Sequence, residues 1–248
     1  MSIIERIDAN QKAINAIRPF EGEMLKQIRD YYRVGLTYSS NALEGNSLTE
    51  IETKVLLEDG ITVGGKPLRD TFEALGHAAA YDYMFGLLGE RRITVEDVKT
   101  LHRLFYKAID EPNAGVWRGV NIIVTGSDYV FPAPDELRGL MVALGRWIEA
   151  ERGSMHPVRF AAMLHLKFVT IHPFADGNGR VARLLMNAVL IQDSYMLAMI
   201  PPILRMDYLA AIRGYQQKGN AEPFCDFIAE QVLQCQKDMM RMLHIKAE

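Results

Sequence analysis

Two apolar runs, Val158 to Thr170 and Val181 to Ile191, stand on either side of a short stretch that neither could contain. Both read as helices, and the second has Leu184, Leu185, Met186, Val189 and Leu190 to bury. Between them the chain reads His172-Pro173-Phe174-Ala175-Asp176-Gly177-Asn178-Gly179-Arg180, with Arg183 one turn further on. Pro and Gly break helices, so the chain must turn here. A plain connector needs only one or two such residues. This one also carries an imidazole, a carboxylate, an asparagine and two arginines.

That set points to phosphate binding. Gly177, Asn178 and Gly179 fall where the second helix begins, and glycines there let successive N–H groups point outward as an anion nest. The first N–H groups of a helix have no intrahelical partner, and the helix dipole adds positive charge at that end. Arg180 and Arg183 are spaced i, i+3 and share a face close to it, and guanidinium forks suit phosphate oxygens. Asp176 offers a hard oxygen to Mg²⁺. His172 can take a proton near neutral pH. Taken singly, each residue also suits a helix corner, with His172 at a helix end, Asp176 in the turn and the arginines solvated. The corner does not explain why the whole set fits one reaction.

Residues 172–183 read HPFADGNGRVAR, which resembles the Fic family signature HxFx(D/E)GNGRxxR at every specified position. The resemblance implies a nucleotide-dependent enzyme that modifies proteins, most often by moving AMP from ATP to a hydroxyl. His172 would be the base, Asp176 the Mg²⁺ ligand, and Gly177, Asn178, Gly179, Arg180 and Arg183 the nucleotide site.

Upstream, Ser40-Asn41-Ala42-Leu43-Glu44-Gly45 has two readings. By local signals Ser39, Ser40 and Asn41 are capping types after a helix over Glu21 to Tyr38, Gly45 suits the residue past a helix end, and Ser47 or Thr49 starts the next helix. Glu44 is then a solvated carboxylate. The same residues also resemble (S/T)xxxE(G/N), the inhibitory motif of the Fic class whose inhibitory helix precedes the core. That resemblance implies that Ser40 and Glu44 restrain the site, with Glu44 pairing to Arg183 and keeping the γ-phosphate away.

The remaining chain reads as mostly helical. Thr94 caps a helix running to about Ile109, and Pro157 opens the helix that leads into the signature. Ile61-Thr62-Val63 has strand character. Val120 to Val124 and Tyr129 to Phe131, joined by Gly126-Ser127-Asp128, read as a β-hairpin. Its edge could take up an extended segment, and the resemblance makes it the flap that docks a target at Ile122, Ile123, Val124 and Thr125. The helix at Asp207 to Gln217 falls near the adenine by resemblance, with Tyr208 either touching the base or buried in the core. His77 and His102 read as packed core residues. His165 and His172 are seven apart, the second beyond the helix end, and no HxxxH pair occurs, so a zinc site is not expected.

The expected fold is mainly α: a single Fic-like helical domain with an N-terminal helical extension and one β-hairpin flap. Residues 1–90 carry the inhibitory motif, 91–220 the core and 221–248 a last helix. The 248 residues are 49% hydrophobic, enough for a substantial core, and a net charge of −3 gives no general attraction to nucleic acid or anionic membrane. No apolar run reaches the length of a membrane span. The two cysteines, Cys225 and Cys235, lie far from the signature and too far apart on a helix to pair. With no secretory leader in view, a cytoplasmic setting is expected. The expected function is a protein adenylyltransferase, using ATP and Mg²⁺, acting on a Ser, Thr or Tyr hydroxyl and autoinhibited by Glu44. The alternatives are removal of AMP, transfer of another phosphate-containing group, and a non-catalytic nucleotide-binding module. The partner is an unknown target protein, and the resemblance adds a homodimer.

Overall fold

The computed structural model describes all residues except 18–21, 63, 90–91, 125–127 and 246–248. The described residues form ten α-helices: α1 (Ile3–Asn15), α2 (Gly22–Ala42), α3 (Glu50–Asp59), α4 (Leu68–Gly86), α5 (Val95–Tyr106), α6 (Leu137–Glu151), α7 (Pro157–Ile171), α8 (Asn178–Gln192), α9 (Arg205–Lys218) and α10 (Glu222–Met242).

The two apolar runs are the centre of the molecule. α7 and α8 pack on each other; α2, α4 and α5 surround α8, while α6, α9 and α10 flank α7. Only Gly179 and Ile191 of α8 escape full burial, because a helix apolar on nearly every face must be covered all round. Truncating one of its core side chains, such as the fully buried Leu185, costs about 2–5 kcal/mol. The N-terminal α1 closes the outside of α10. Its start is a capping box, in which Ser2 Oγ accepts from Glu5 N and the Glu5 carboxylate accepts from Ser2 N. Thr49 and Thr94 cap α3 and α5 in the same way.

Three expectations change. α2 does not end at Tyr38 but runs to Ala42, so Ser39, Ser40 and Asn41 are helical and buried rather than caps. Ser40 is held there by Arg183, a distant partner that outweighs the local preference of serine for a cap. Ile61 and Thr62 form no strand, and Val63 lies outside the described residues.

The third change is the flap. Residues 119–124 and 128–131 carry no strand, so the expected β-hairpin is absent among the described residues; Thr125 lies outside them. Val120, Ile123 and Val130 stand 65%, 96% and 87% exposed. β-Branched residues favour a strand when they have a pleated, half-buried surface to pack on. Here Ile122 and Val124 are only partly covered while Val120, Ile123 and Val130 face solvent, and a lone two-stranded hairpin is marginal in water. The segment is a loop whose two ends are tied through Arg118, as described below.

Candidate functional site

α7 starts with Pro157 in its first turn and His156 as N-cap. It stops at His172, which takes a left-handed conformation (φ 52°, ψ 59°), uncommon for a residue with a Cβ. Pro173 follows, so the helix cannot resume. His172 Nδ1 lies 3.1 Å from the Val169 carbonyl. A carbonyl only accepts, so Nδ1 carries the hydrogen and Nε2 is left as the acceptor. Burial pushes the His172 pKa down to about 4, leaving the ring neutral at pH 7. Its ring packs against Phe131, centroid to centroid 4.6 Å.

The turn after His172 is clamped from inside. Asn178 uses both ends of its amide on Phe174, accepting from its N–H (2.9 Å) and donating to its C=O (2.8 Å). Phe174 stacks flat on His102 at 3.7 Å. Gly115 N donates to His102 Nδ1 (2.8 Å), so Nε2 holds the hydrogen and donates to the Asp176 carbonyl (3.0 Å). His102 is thus buried, as expected, but it also positions the turn. Gly177, the N-cap of α8, has φ 78°, and a Cβ there would meet the Phe105 ring at 2.9 Å. Space and conformation both demand glycine.

The charged groups are paired in a chain. Arg69 Nη2 reaches Asp176 Oδ2 at 2.6 Å and Arg180 Nη2 reaches Oδ1 at 3.2 Å. Arg180, 3% exposed, also pairs with Glu73 at 3.0 Å and lies over the Phe105 ring at 4.3 Å. Burial would raise the Asp176 carboxyl, but Arg180, the Gly177 N–H and Arg69 outweigh it and hold its pKa below the usual value.

Arg183, 4% exposed, is held on every side. It donates to Ser40 Oγ (2.9 Å), the Ser40 carbonyl (2.8 Å), the Tyr208 hydroxyl (3.1 Å) and Glu44 Oε1 (2.8 Å). His165 Nε2 meets the same Tyr208 hydroxyl at 2.8 Å. Burial would raise the Glu44 carboxyl, yet Arg183 and Arg180 bring it below its ordinary value, so Glu44 is ionised at pH 7. A Cβ on Gly179 would collide with Glu44 Oε1. The Glu44 carboxylate therefore sits at the N-terminus of α8, where an anion is favoured.

These groups border a cavity of about 290 Å³, near the lower end of the roughly 300–1,000 Å³ typical of ligand sites. Asp176 to Gly179 make one wall with His172 and Glu44, and Val124 and Phe131 of the loop make another. The third comes from α9: Tyr208, Leu209, Ile212, Arg213 and Gln216. Arg180, Arg183, Ser40, Ile122 and Ile123 are not among the residues that line it. Sequence reasoning picked Tyr208 alone from α9, although 209, 212, 213 and 216 share one helical face. It also passed over Phe131, Arg69 and Arg118. A larger hollow of about 650 Å³ beside α6 and α7 holds Arg152, already paired with Asp193 at 3.1 Å.

No cluster of three or more His, Cys, Asp or Glu among the described residues could hold a metal. Asp176 is a single carboxylate, its side chain 40% exposed. Mg²⁺ commonly takes one or two carboxylates plus substrate phosphates. Asp176 fits an ion that arrives with a polyphosphate, not a protein-caged metal. No helix among the described residues is long and apolar enough to cross a membrane. Cys225 and Cys235 are free and buried.

Residues 92–190 match the family model described as Fic/DOC family. The chain is 34% identical over 229 residues to the protein adenylyltransferase Fic of Drosophila melanogaster, covering 92% of this chain and 46% of that relative. It thus spans about half the length of the curated relatives it matches. In fold it is similar to Fic-1 (residues 134–508) of C. elegans, with TM-score 0.87, 24% identity, and 98% of this chain and 72% of the other covered. A Fic-domain signaling protein of Bacteroides thetaiotaomicron superposes with TM-score 0.83 at 29% identity, with 95% of each chain covered. The fold is common ground with these structures, and the chain belongs to the Fic/DOC family.

Proposed function

We propose that this chain is a protein adenylyltransferase held in check by Glu44. The observation that carries the reading is the Glu44 carboxylate, paired with Arg183 at 2.8 Å over the N-terminus of α8, in the cavity that also holds the candidate base His172. The name of the Drosophila relative supports it.

ATP is the donor. Its phosphates lie on the backbone N–H groups of Gly177, Asn178 and Gly179, with Arg180 close behind and Asp176 as the one metal-ligand carboxylate. A Mg²⁺ ion held there would neutralise charge on the phosphates. The base face of the nucleotide lies along Leu209, Ile212 and Gln216. The hydroxyl of a target Ser, Thr or Tyr gives its proton to His172 Nε2 as its oxygen bonds to the α-phosphorus. The bond from that phosphorus to the bridging oxygen of the β-phosphate breaks, and pyrophosphate leaves. Arg183 orients the γ-phosphate once Glu44 has withdrawn. The target protein enters along the loop at 119–131, beside Val124 and Phe131. The free thiols suit a reducing cytoplasm.

The test is intact-mass spectrometry of wild type, Glu44→Gly and His172→Ala after incubation with Mg·ATP and a cytosolic extract. Glu44→Gly should add AMP to protein at least about tenfold faster than wild type, a change of about 1.4 kcal/mol in barrier. His172→Ala in the Glu44→Gly background should lose about 10²–10⁴ of that rate. Equal labelling by wild type and Glu44→Gly sinks the autoinhibition, and a different mass increment names another transferred group.

A further inference from the structure

Arg118 is a buried cation, 4% exposed, with no carboxylate paired to it among the described residues. Buried charges are usually neutralised by a partner charge. Here the partners are backbone carbonyls from three separate segments. Nε donates to His172 O at 2.9 Å, Nη1 to Val120 O at 2.9 Å and Nη2 to Pro132 O at 2.6 Å. Its own N–H donates to Pro173 O at 2.9 Å.

The choice of acceptors is informative. Val120 and Pro132 are the two ends of the loop whose Val124 and Phe131 border the cavity. His172 carries the candidate base, in a left-handed conformation that is uncommon for a residue with a Cβ. One planar guanidinium thus spans the two ends of the loop and the backbone of the base. Its fork geometry can satisfy three acceptors at fixed angles, which an ammonium on a flexible stem cannot. Phe131 then meets the His172 ring at 4.6 Å. A residue serving only to stabilise the loop would gain nothing from holding His172 as well, and an apolar side chain would avoid burying the charge.

We propose that Arg118 is a positioning residue that sets the register between the His172 backbone and both ends of the loop at 119–131, so that the target-facing loop and the base move as one unit. The inference rests on the reaction proposed above, and deepens it by naming what aligns the acceptor hydroxyl with the base.

The test uses the full chain carrying Glu44→Gly, alone and combined with Arg118→Lys or Arg118→Met. Three readouts are compared: amide hydrogen exchange of peptides spanning 119–124, 128–132 and 171–175; affinity for Mg·AMPPNP; and AMP transfer to extract proteins. With Arg118→Met, exchange should rise about tenfold together in both loop ends and in 171–175, and AMP transfer should fall about 10²-fold, as displacements near 1 Å can cause. AMPPNP affinity should stay within threefold, because the Arg118 guanidinium bonds to His172, Val120 and Pro132 and not to Gly177, Asn178, Gly179 or α9 among the described residues. Arg118→Lys, which keeps the charge but not the fork, should fall between. Exchange that rises in the loop alone, with 171–175 unchanged, overturns the coupling, as does undiminished AMP transfer. If Arg118→Met does not fold, the lysine variant decides by the same criteria. If the Glu44→Gly parent transfers no AMP, the adenylyltransferase reading fails, and the exchange arm still decides the coupling.

Discussion

At the scale of single residues the site is built from groups with several partners, so substitutions are read through the partners left behind. Tyr208 illustrates this. Its hydroxyl takes Arg183 on one side and His165 on the other. Tyr208→Phe keeps the ring against the cavity and removes only the oxygen. It should lower stability by about 1–3 kcal/mol, the range for leaving a buried polar group unpaired, and weaken Mg·ATP binding through a loosened Arg183. Urea unfolding and calorimetric titration measure the two effects; unchanged values in both would mean that the ring alone matters. His172 yields a pH prediction. Its pKa is pushed down to about 4, so the ring is neutral above that pH and protonated below it. AMP transfer by Glu44→Gly, normalised to the folded fraction, should hold level from pH 7 to about 5 and fall on approaching 4. An acid limb at the ordinary histidine value of 6.5 would contradict the burial. Most of these residues were legible beforehand, because the signature places the candidate base, a carboxylate, glycines and arginines within twelve consecutive positions. Their partners were not: Ser40 and Glu44 meet Arg183 from about 140 positions away.

At the scale of elements, the end of α2 decides whether Glu44 stays in place. That end is pinned from three directions. Ser47 N and Oγ donate to Asp70 Oδ2 at 2.7 and 2.6 Å, Asn46 Nδ2 donates to Glu73 Oε2 at 3.0 Å, and Arg205 of α9 donates to the Leu43 carbonyl at 2.7 Å. Asp70→Ala removes the first pin without touching the cavity. It should raise AMP transfer severalfold, by less than Glu44→Gly, and speed amide exchange at 44–48; no change in either would place the control elsewhere. The sequence showed that a helix, a serine and a glutamate lie here, but suggested the helix would end before the serine. Capping preference is local, and burial of Ser39, Ser40 and Asn41 against α8 and α4 overrode it. The loop at 119–131 failed as a hairpin for the converse reason. Its β-branched residues promise a covered face, but among the described residues Val120, Ile123 and Val130 stand mostly open to solvent.

At the scale of the whole molecule, three buried histidines and the half-buried His172 link stability to pH. Burial lowers His77 to about 3, His102 and His172 to about 4, and His165 well below 6.5. Between pH 6.5 and about 4 the unfolded chain binds more protons at these positions than the folded one. Stability therefore rises with pH, and is lost as pH falls through that window, by about 1.4 kcal/mol per unit for each such histidine. Glu44 and Asp176, whose pKa values are held low in the fold, add a loss in the same direction once pH falls below the ordinary carboxyl range. Melting temperature should drop steeply from pH 6.5 to 4, with proton uptake on unfolding; a flat profile would mean that these imidazoles are hydrated. The sequence by itself determined the helical character, the buried α7–α8 pair and the chemistry of the turn between them, because periodicity and a contiguous motif are local properties. Only the tertiary structure decided that α9 completes the cavity, that Arg69 sits on Asp176, that Arg118 ties the loop to His172 and that residues 119–124 and 128–131 carry no strand. Those outcomes depend on which surfaces meet when the helices pack, and no stretch of sequence carries that by itself.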